Sequence, residues 1–178
     1  MSERITRPRL LNLPNILSFL RLPLALLFMV TASPVIRAGI IIAAAITDGL
    51  DGWLARRLRQ DKGAGQIVDP ITDKLFVLVA LATLTARGEL EPWMIVALLA
   101  RDVYTSFAYF IIRALEWEVR FKARWSGKTV TVLQMSVMLA ALVLPWAVLT
   151  LVIATAVAAL VSIADYTAAI LAQRKRVT

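Results

Sequence analysis

Apolar runs of about twenty residues follow one another along this chain, separated by short segments where charged residues and Gly or Pro gather. A helix needs roughly 20 mostly apolar residues to cross a bilayer. Six stretches meet that length: Leu13–Ala32, Val35–Ala55, Ile67–Ala86, Trp93–Ile112, Val130–Leu149 and Leu151–Ala172. The pattern therefore predicts an all-α integral membrane protein with six transmembrane helices and a short cytoplasmic amphipathic segment, "RITRPRLLNL", at the N-terminus. The last two spans run together in "LVLPWAVLTLV", where Pro145 is the clear breaker and puts the turn near Leu144–Ala147. No internal repeat or linker divides the sequence, so residues 1–178 read as a single domain.

Lys and Arg set the orientation. With the N-terminus inside, the cytoplasmic segments hold Arg4, Arg7 and Arg9, then Arg56, Arg57, Arg59 and Lys62. They continue with Arg113, Arg120, Lys122, Arg124 and Lys128, and end with Arg174, Lys175 and Arg176. The opposite side has only Arg37 and Arg87, while Arg21, Lys74 and Arg101 fall within spans. Both termini are thus expected in the cytoplasm, with the protein a multi-pass resident of an inner or plasma membrane. In "ALEWEVRFKARWSGK" the cations alternate with Trp117, Phe121 and Trp125, either as a headgroup-level segment or as a plain loop with aromatic anchors.

Composition narrows the chemistry. The chain is 60% hydrophobic with a formal charge of +8, and its mean hydropathy is +0.75. On so apolar a sequence the cations match an anionic lipid surface. They follow membrane sidedness and form no single basic face, which argues against nucleic acid. Cys and His are both absent, so disulfides, thiolate or imidazole metal sites and Cys or His catalysis are excluded. Met1 to Arg9 is basic, but no A-x-A-like site follows, so no cleavable signal peptide is expected.

The segment "TDGLDGWLARRLRQDKGAGQIVDPITDK" breaks the pattern. Asp48 and Asp51 stand three apart near the inner end of the second span, and Asp69 and Asp73 stand four apart near the start of the third. Each pair shares a helical face, and a short connection makes the two helices antiparallel neighbours, so all four carboxylates can converge. An ionised carboxylate at membrane depth costs about 2.5–3.5 kcal/mol on insertion scales. Either most are protonated or something cationic lies among them. Lys74 and Arg56 are near, but two divalent ions balance four carboxylates more completely, and Mg²⁺ or Mn²⁺ suits an all-oxygen site open to phosphate. Gly49 and Gly52 weaken the helix beside the acids, which suits a ligand or a neighbouring backbone that must come close.

Asp48, Asp51, Gly52, Ala55, Arg56, Gly65, Asp69 and Asp73 fall at the fixed positions D-x-x-D-G-x-x-A-R, eight residues, G-x-x-x-D-x-x-x-D. This spacing resembles the signature of the CDP-alcohol phosphotransferase family. "LPNILSFLRL", with Asn15 and Arg21, looks like the first helix of its phosphatidylglycerophosphate synthase and cardiolipin synthase branch; "LLARDV", "GKTVTVLQ" and "VSIADY" resemble later segments. The resemblance implies transfer of a phosphatidyl group from CDP-diacylglycerol to an acceptor hydroxyl, with release of CMP. It implies that Asp48, Asp51 and Asp69 ligate the metal ions and that Asp73 completes the site and serves as general base. Gly52 and Ala55 would leave room for the nucleotide, Arg56 would offer a fork of donors to the phosphates, and Gly65 would allow the return into the third helix. Relatives are often homodimers, which extends to this chain as an expectation.

Two acceptors remain within the branch, glycerol 3-phosphate and phosphatidylglycerol. Both carry phosphate, so Arg101 and Lys128 are expected to bind the acceptor, although Arg101 could simply pair with Asp102 or Asp165. Phosphatidylglycerophosphate synthases usually show Arg-Glu where this chain has Arg101-Asp102, and a second Lys where Val130 stands; both departures look more like cardiolipin synthases. Inositol phosphate or serine are further alternatives. A divalent-cation transporter using the aspartates would continue polar residues toward the far face, and the outer halves "VIRAGIIIAA" and "FVLVALATL" offer no acids.

Overall fold

The computed structural model describes residues 19–57, 65–115 and 125–174, with side chains described outside 51–71, 113 and 174. Among them are six helices and no strand: α1 (Arg21–Val30), α2 (Pro34–Arg57), α3 (Gly65–Ala86), α4 (Pro92–Ala114), α5 (Trp125–Val143) and α6 (Val148–Arg174). Each predicted span corresponds to one of them, the part of the first before residue 19 lying outside the described residues. The chain divides into two compact units, Met1–Arg87 and Gly88–Thr178.

In the first unit α1 packs on α2 and α3. Ser33 and Pro34 start α2: the Ile36 N–H reaches the Ser33 Oγ at 3.5 Å, and proline occupies the first helical position, where no N–H is needed. Arg21, Ala25 and Phe28 line the buried stripe of α1. On α2 the matching stripe is Arg37, Ile41 and Ala44, and on α3 it is Thr72, Phe76, Ala80 and Leu84. Phe28 and Phe76 meet edge to face, 6.5 Å between centroids. Arg37, counted above with the far-side charges, is a residue of α2 itself, buried with its guanidinium 5.8 Å from the Phe28 ring centre. At the end of α3, Arg87 donates to the Met29 carbonyl at 3.0 Å, and Gly88 adopts the left-handed backbone (φ 74°) that glycine favours past a helix end.

In the second unit α6 packs on both α4 and α5. The buried residues of α5 include Gly127, Val130, Gln134, Val137 and Ala141; those of α6 include Val148, Val152, Thr155, Ala159 and Ser162. Alternating steps of three and four with small residues in the seam give the close, slightly inclined packing common between membrane helices. Gln134 adds a tie from its amide Nε2 to the Leu98 carbonyl of α4 at 3.3 Å, and Tyr104 and Thr167 share a short hydroxyl–hydroxyl bond between α4 and α6. Pro145 ends the fifth helix where expected: a 3₁₀ turn, Pro145–Ala147, joins α5 to α6. The other end of α5 differs from expectation, since it begins at Trp125 and not near Val130. Polar "WSGKT" continues the same helix, because hydropathy marks depth in a bilayer while backbone hydrogen bonding marks the helix.

Three stretches among the described residues are long and apolar enough to span a membrane: Pro92–Ile112, Trp125–Val143 and Pro145–Gln173. Several hydroxyls in these helices turn back onto their own backbone. Thr105, Thr131, Ser136, Thr155 and Thr167 each donate to the carbonyl four residues earlier, which satisfies them without water.

Candidate functional site

Arg21, the first residue of α1, contacts two of the expected carboxylates. It is 1% exposed, and its Nη2 donates to Asp48 Oδ1 at 3.0 Å. Its Nη1 lies 3.9 Å from Asp73 Oδ1. One guanidinium therefore bridges α2 and α3, bringing together two aspartates 25 residues apart in sequence. The planar fork suits this task, because its two terminal nitrogens can face different carboxylates. The acids themselves are more open, with side-chain exposures of 45% for Asp48 and 29% for Asp73. A carboxylate has two oxygens and about four acceptor positions, so at Asp48 an arginine contact at Oδ1 leaves capacity for a ligand.

The sequence reading weighed Lys74 and Arg56 as cations near the acids and passed over Arg21. The available signal was its place as a lone cation within an apolar span. Asp51, Gly52, Ala55 and Arg56 belong to α2, and Gly65 and Asp69 to the first turns of α3, but their side chains lie outside the described residues. Gly65 is the first residue of α3. At Gly49 no described atom lies within 4 Å of where a Cβ would stand. Among the described residues, then, no neighbouring backbone comes close to Gly49.

The second unit holds the other expected cations. Arg101 Nη1 donates to Asp102 Oδ1 at 2.9 Å, its Nη2 lies 3.5 Å from the Tyr166 hydroxyl, and its Cζ stands 5.5 Å from that ring's centre. Asp165, the other expected partner, accepts from Ser126 Oγ at 2.8 Å. Lys128 points elsewhere: its Nζ is 5.0 Å from the ring centre of exposed Trp125. Arg101 is thus built into the helix packing, and Lys128 is an exposed cation on an aromatic face.

The described chain is thus helical, with three stretches of membrane-spanning length and with half-exposed aspartates beside a buried arginine. A sequence profile of the CDP-alcohol phosphatidyltransferase family matches residues 11–164. The chain belongs to that family. It is 35% identical over 141 residues to the CDP-diacylglycerol–glycerol-3-phosphate 3-phosphatidyltransferase of Escherichia coli K12, covering 70% of this chain and 72% of the relative. It is also 35% identical over 138 residues to a probable phosphatidylglycerophosphate synthase of Mycobacterium tuberculosis H37Rv, covering 72% and 64%. A Cereibacter sphaeroides protein bearing the same name as the E. coli relative is 36% identical over 105 residues, 53% of this chain and 48% of the relative. The matches thus span about half to two thirds of the length of some of these curated relatives.

Proposed function

We propose that this protein transfers the phosphatidyl group of CDP-diacylglycerol to the primary hydroxyl of glycerol 3-phosphate and releases CMP. In this reading six helices cross the membrane, and the site and both termini face the cytoplasm. The observation that carries it is the joining of Asp48 and Asp73, both signature residues, through buried Arg21. The relatives' names supply the acceptor, glycerol 3-phosphate.

The donor set consists of carboxylate oxygens, two of them reached by the same guanidinium, and an all-oxygen set suits Mg²⁺ or Mn²⁺. Asp48, Asp51, Asp69 and Asp73 would hold two such ions, whose chemistry is to neutralise the donor diphosphate and ease departure of CMP. Arg56 would grip the diphosphate, while Gly52, Ala55 and Gly65 would leave space around the nucleotide. Asp73 would take the proton of the acceptor hydroxyl as its oxygen bonds to the phosphatidyl phosphorus. The bond from that phosphorus to the bridging oxygen then breaks, and the electron pair leaves with CMP. Arg21 holds Asp48 and Asp73 in register for this step. Arg101 would meet the phosphate of the acceptor.

A second acceptor has its own support. Val130, where a second Lys is usual in phosphatidylglycerophosphate synthases, is packed in the α5 seam, which favours phosphatidylglycerol and a cardiolipin product. Purified protein given labelled CDP-diacylglycerol with glycerol 3-phosphate, phosphatidylglycerol, inositol phosphate or serine in separate reactions decides among them. Glycerol 3-phosphate is expected to yield labelled phosphatidylglycerophosphate and CMP. EDTA should stop the reaction and Mg²⁺ or Mn²⁺ restore it. Turnover only with phosphatidylglycerol would transfer the assignment to the second acceptor, and full turnover in chelator would refute the metal site.

A further inference from the structure

Gly127 is a glycine whose backbone does not require one. It lies within α5, and Gly88 is the described glycine with a positive φ. In a helix, glycine is a poorer choice than alanine. The surroundings supply the reason. A Cβ at position 127 would overlap Arg101 Nη2, and would stand 3.3 Å from Arg101 Cζ and 3.4 Å from the Tyr166 hydroxyl. The guanidinium of α4 therefore lies directly on the bare backbone of α5, with the Tyr166 ring of α6 against it.

This packing fixes where the arginine's donors point. Of its five N–H groups, one on Nη1 is bound by Asp102 at 2.9 Å, and among the described residues Nη2 has a single long contact, 3.5 Å to Tyr166. Nε is buried and has no hydrogen-bond acceptor among the described residues. Asp102 thus anchors one edge of the guanidinium, Tyr166 and α5 confine it, and donor capacity remains for an anion.

We infer that Gly127 is a positioning residue for acceptor recognition: its missing Cβ sets the depth at which Arg101 sits, and so aims the remaining donors at the acceptor's phosphate. The inference rests on the proposed role of Arg101 in binding that phosphate. Because the atom in the way is the tip of a flexible side chain, Gly127→Ala should displace the guanidinium and leave α5 in place.

The test measures the apparent KM for glycerol 3-phosphate and for CDP-diacylglycerol, together with thermal unfolding in detergent, for Gly127→Ala, Arg101→Ala and the double variant. Gly127→Ala should raise the glycerol 3-phosphate KM about tenfold, the scale of one weakened charge-assisted hydrogen bond. The CDP-diacylglycerol KM and the unfolding midpoint should not worsen. In the Arg101→Ala background the same substitution should add nothing, as expected when two residues act through one contact. Equal rises in both KM values, or an undiminished Gly127→Ala effect without Arg101, would overturn the inference. If Arg101→Ala leaves the glycerol 3-phosphate KM unchanged, the acceptor role of Arg101 fails and the inference with it. If Arg101→Ala raises that KM but Gly127→Ala does not, positioning alone fails. Should Gly127→Ala not fold, recovery of folding in the double variant would support the overlap, and no recovery would refute it.

Discussion

Arg21 shows what a single buried cation does among carboxylates. At 1% exposure it would be costly alone, and its contacts to Asp48 and Asp73 offset that cost. Arg21→Lys keeps the charge but replaces a two-pronged fork with a single ammonium, which cannot hold both acids in the same geometry. It is expected to lower kcat by about tenfold or more, since each hydrogen bond to a charged group contributes about 1.5–3 kcal/mol, and to lower the thermal midpoint measurably. Asp73→Asn keeps the size but removes the base, and kcat should fall by about 10²-fold or more while the KM for CDP-diacylglycerol changes less. Steady-state kinetics on the purified variants test both. The spacing of the aspartates is readable in the sequence because their offsets are local and fixed. The partnership of Arg21 is not, because it spans 27 residues to Asp48 and 52 to Asp73, and only packing of α1 on α2 and α3 creates it.

Among the elements, what the sequence revealed depended on which physical property marks a boundary. Proline removes a backbone donor, so Pro145 marked the end of α5 from sequence alone. Nothing so sharp marks its beginning, and Trp125 to Thr129 turned out to be helical despite their polarity. The α5–α6 seam invites a direct stability test at Ser162, fully buried with an Oγ that has no hydrogen-bond partner among the described residues. Ser162→Ala removes an unsatisfied hydroxyl and should leave the unfolding midpoint equal or higher. Ser162→Leu adds bulk to a closed seam and should cost about 1–3 kcal/mol. Thermal unfolding of the two variants in one detergent checks the sign of each change.

At the scale of the whole molecule, the sidedness read from Lys and Arg becomes an experiment because the chain has no cysteine. A single introduced thiol is therefore a clean reporter. Trp146→Cys should react with an impermeant maleimide added outside intact cells, and Glu118→Cys only after the membrane is opened. The reverse labelling would invert the proposed orientation. The Pro145–Ala147 turn also bears on how the protein is made. Neither the turn nor the flanking Leu144 and Val148 carries a charge, so no hydrated loop has to be carried through the hydrocarbon there. In the proposed topology the last two helices would therefore enter the membrane as one hairpin, closed by an uncharged turn.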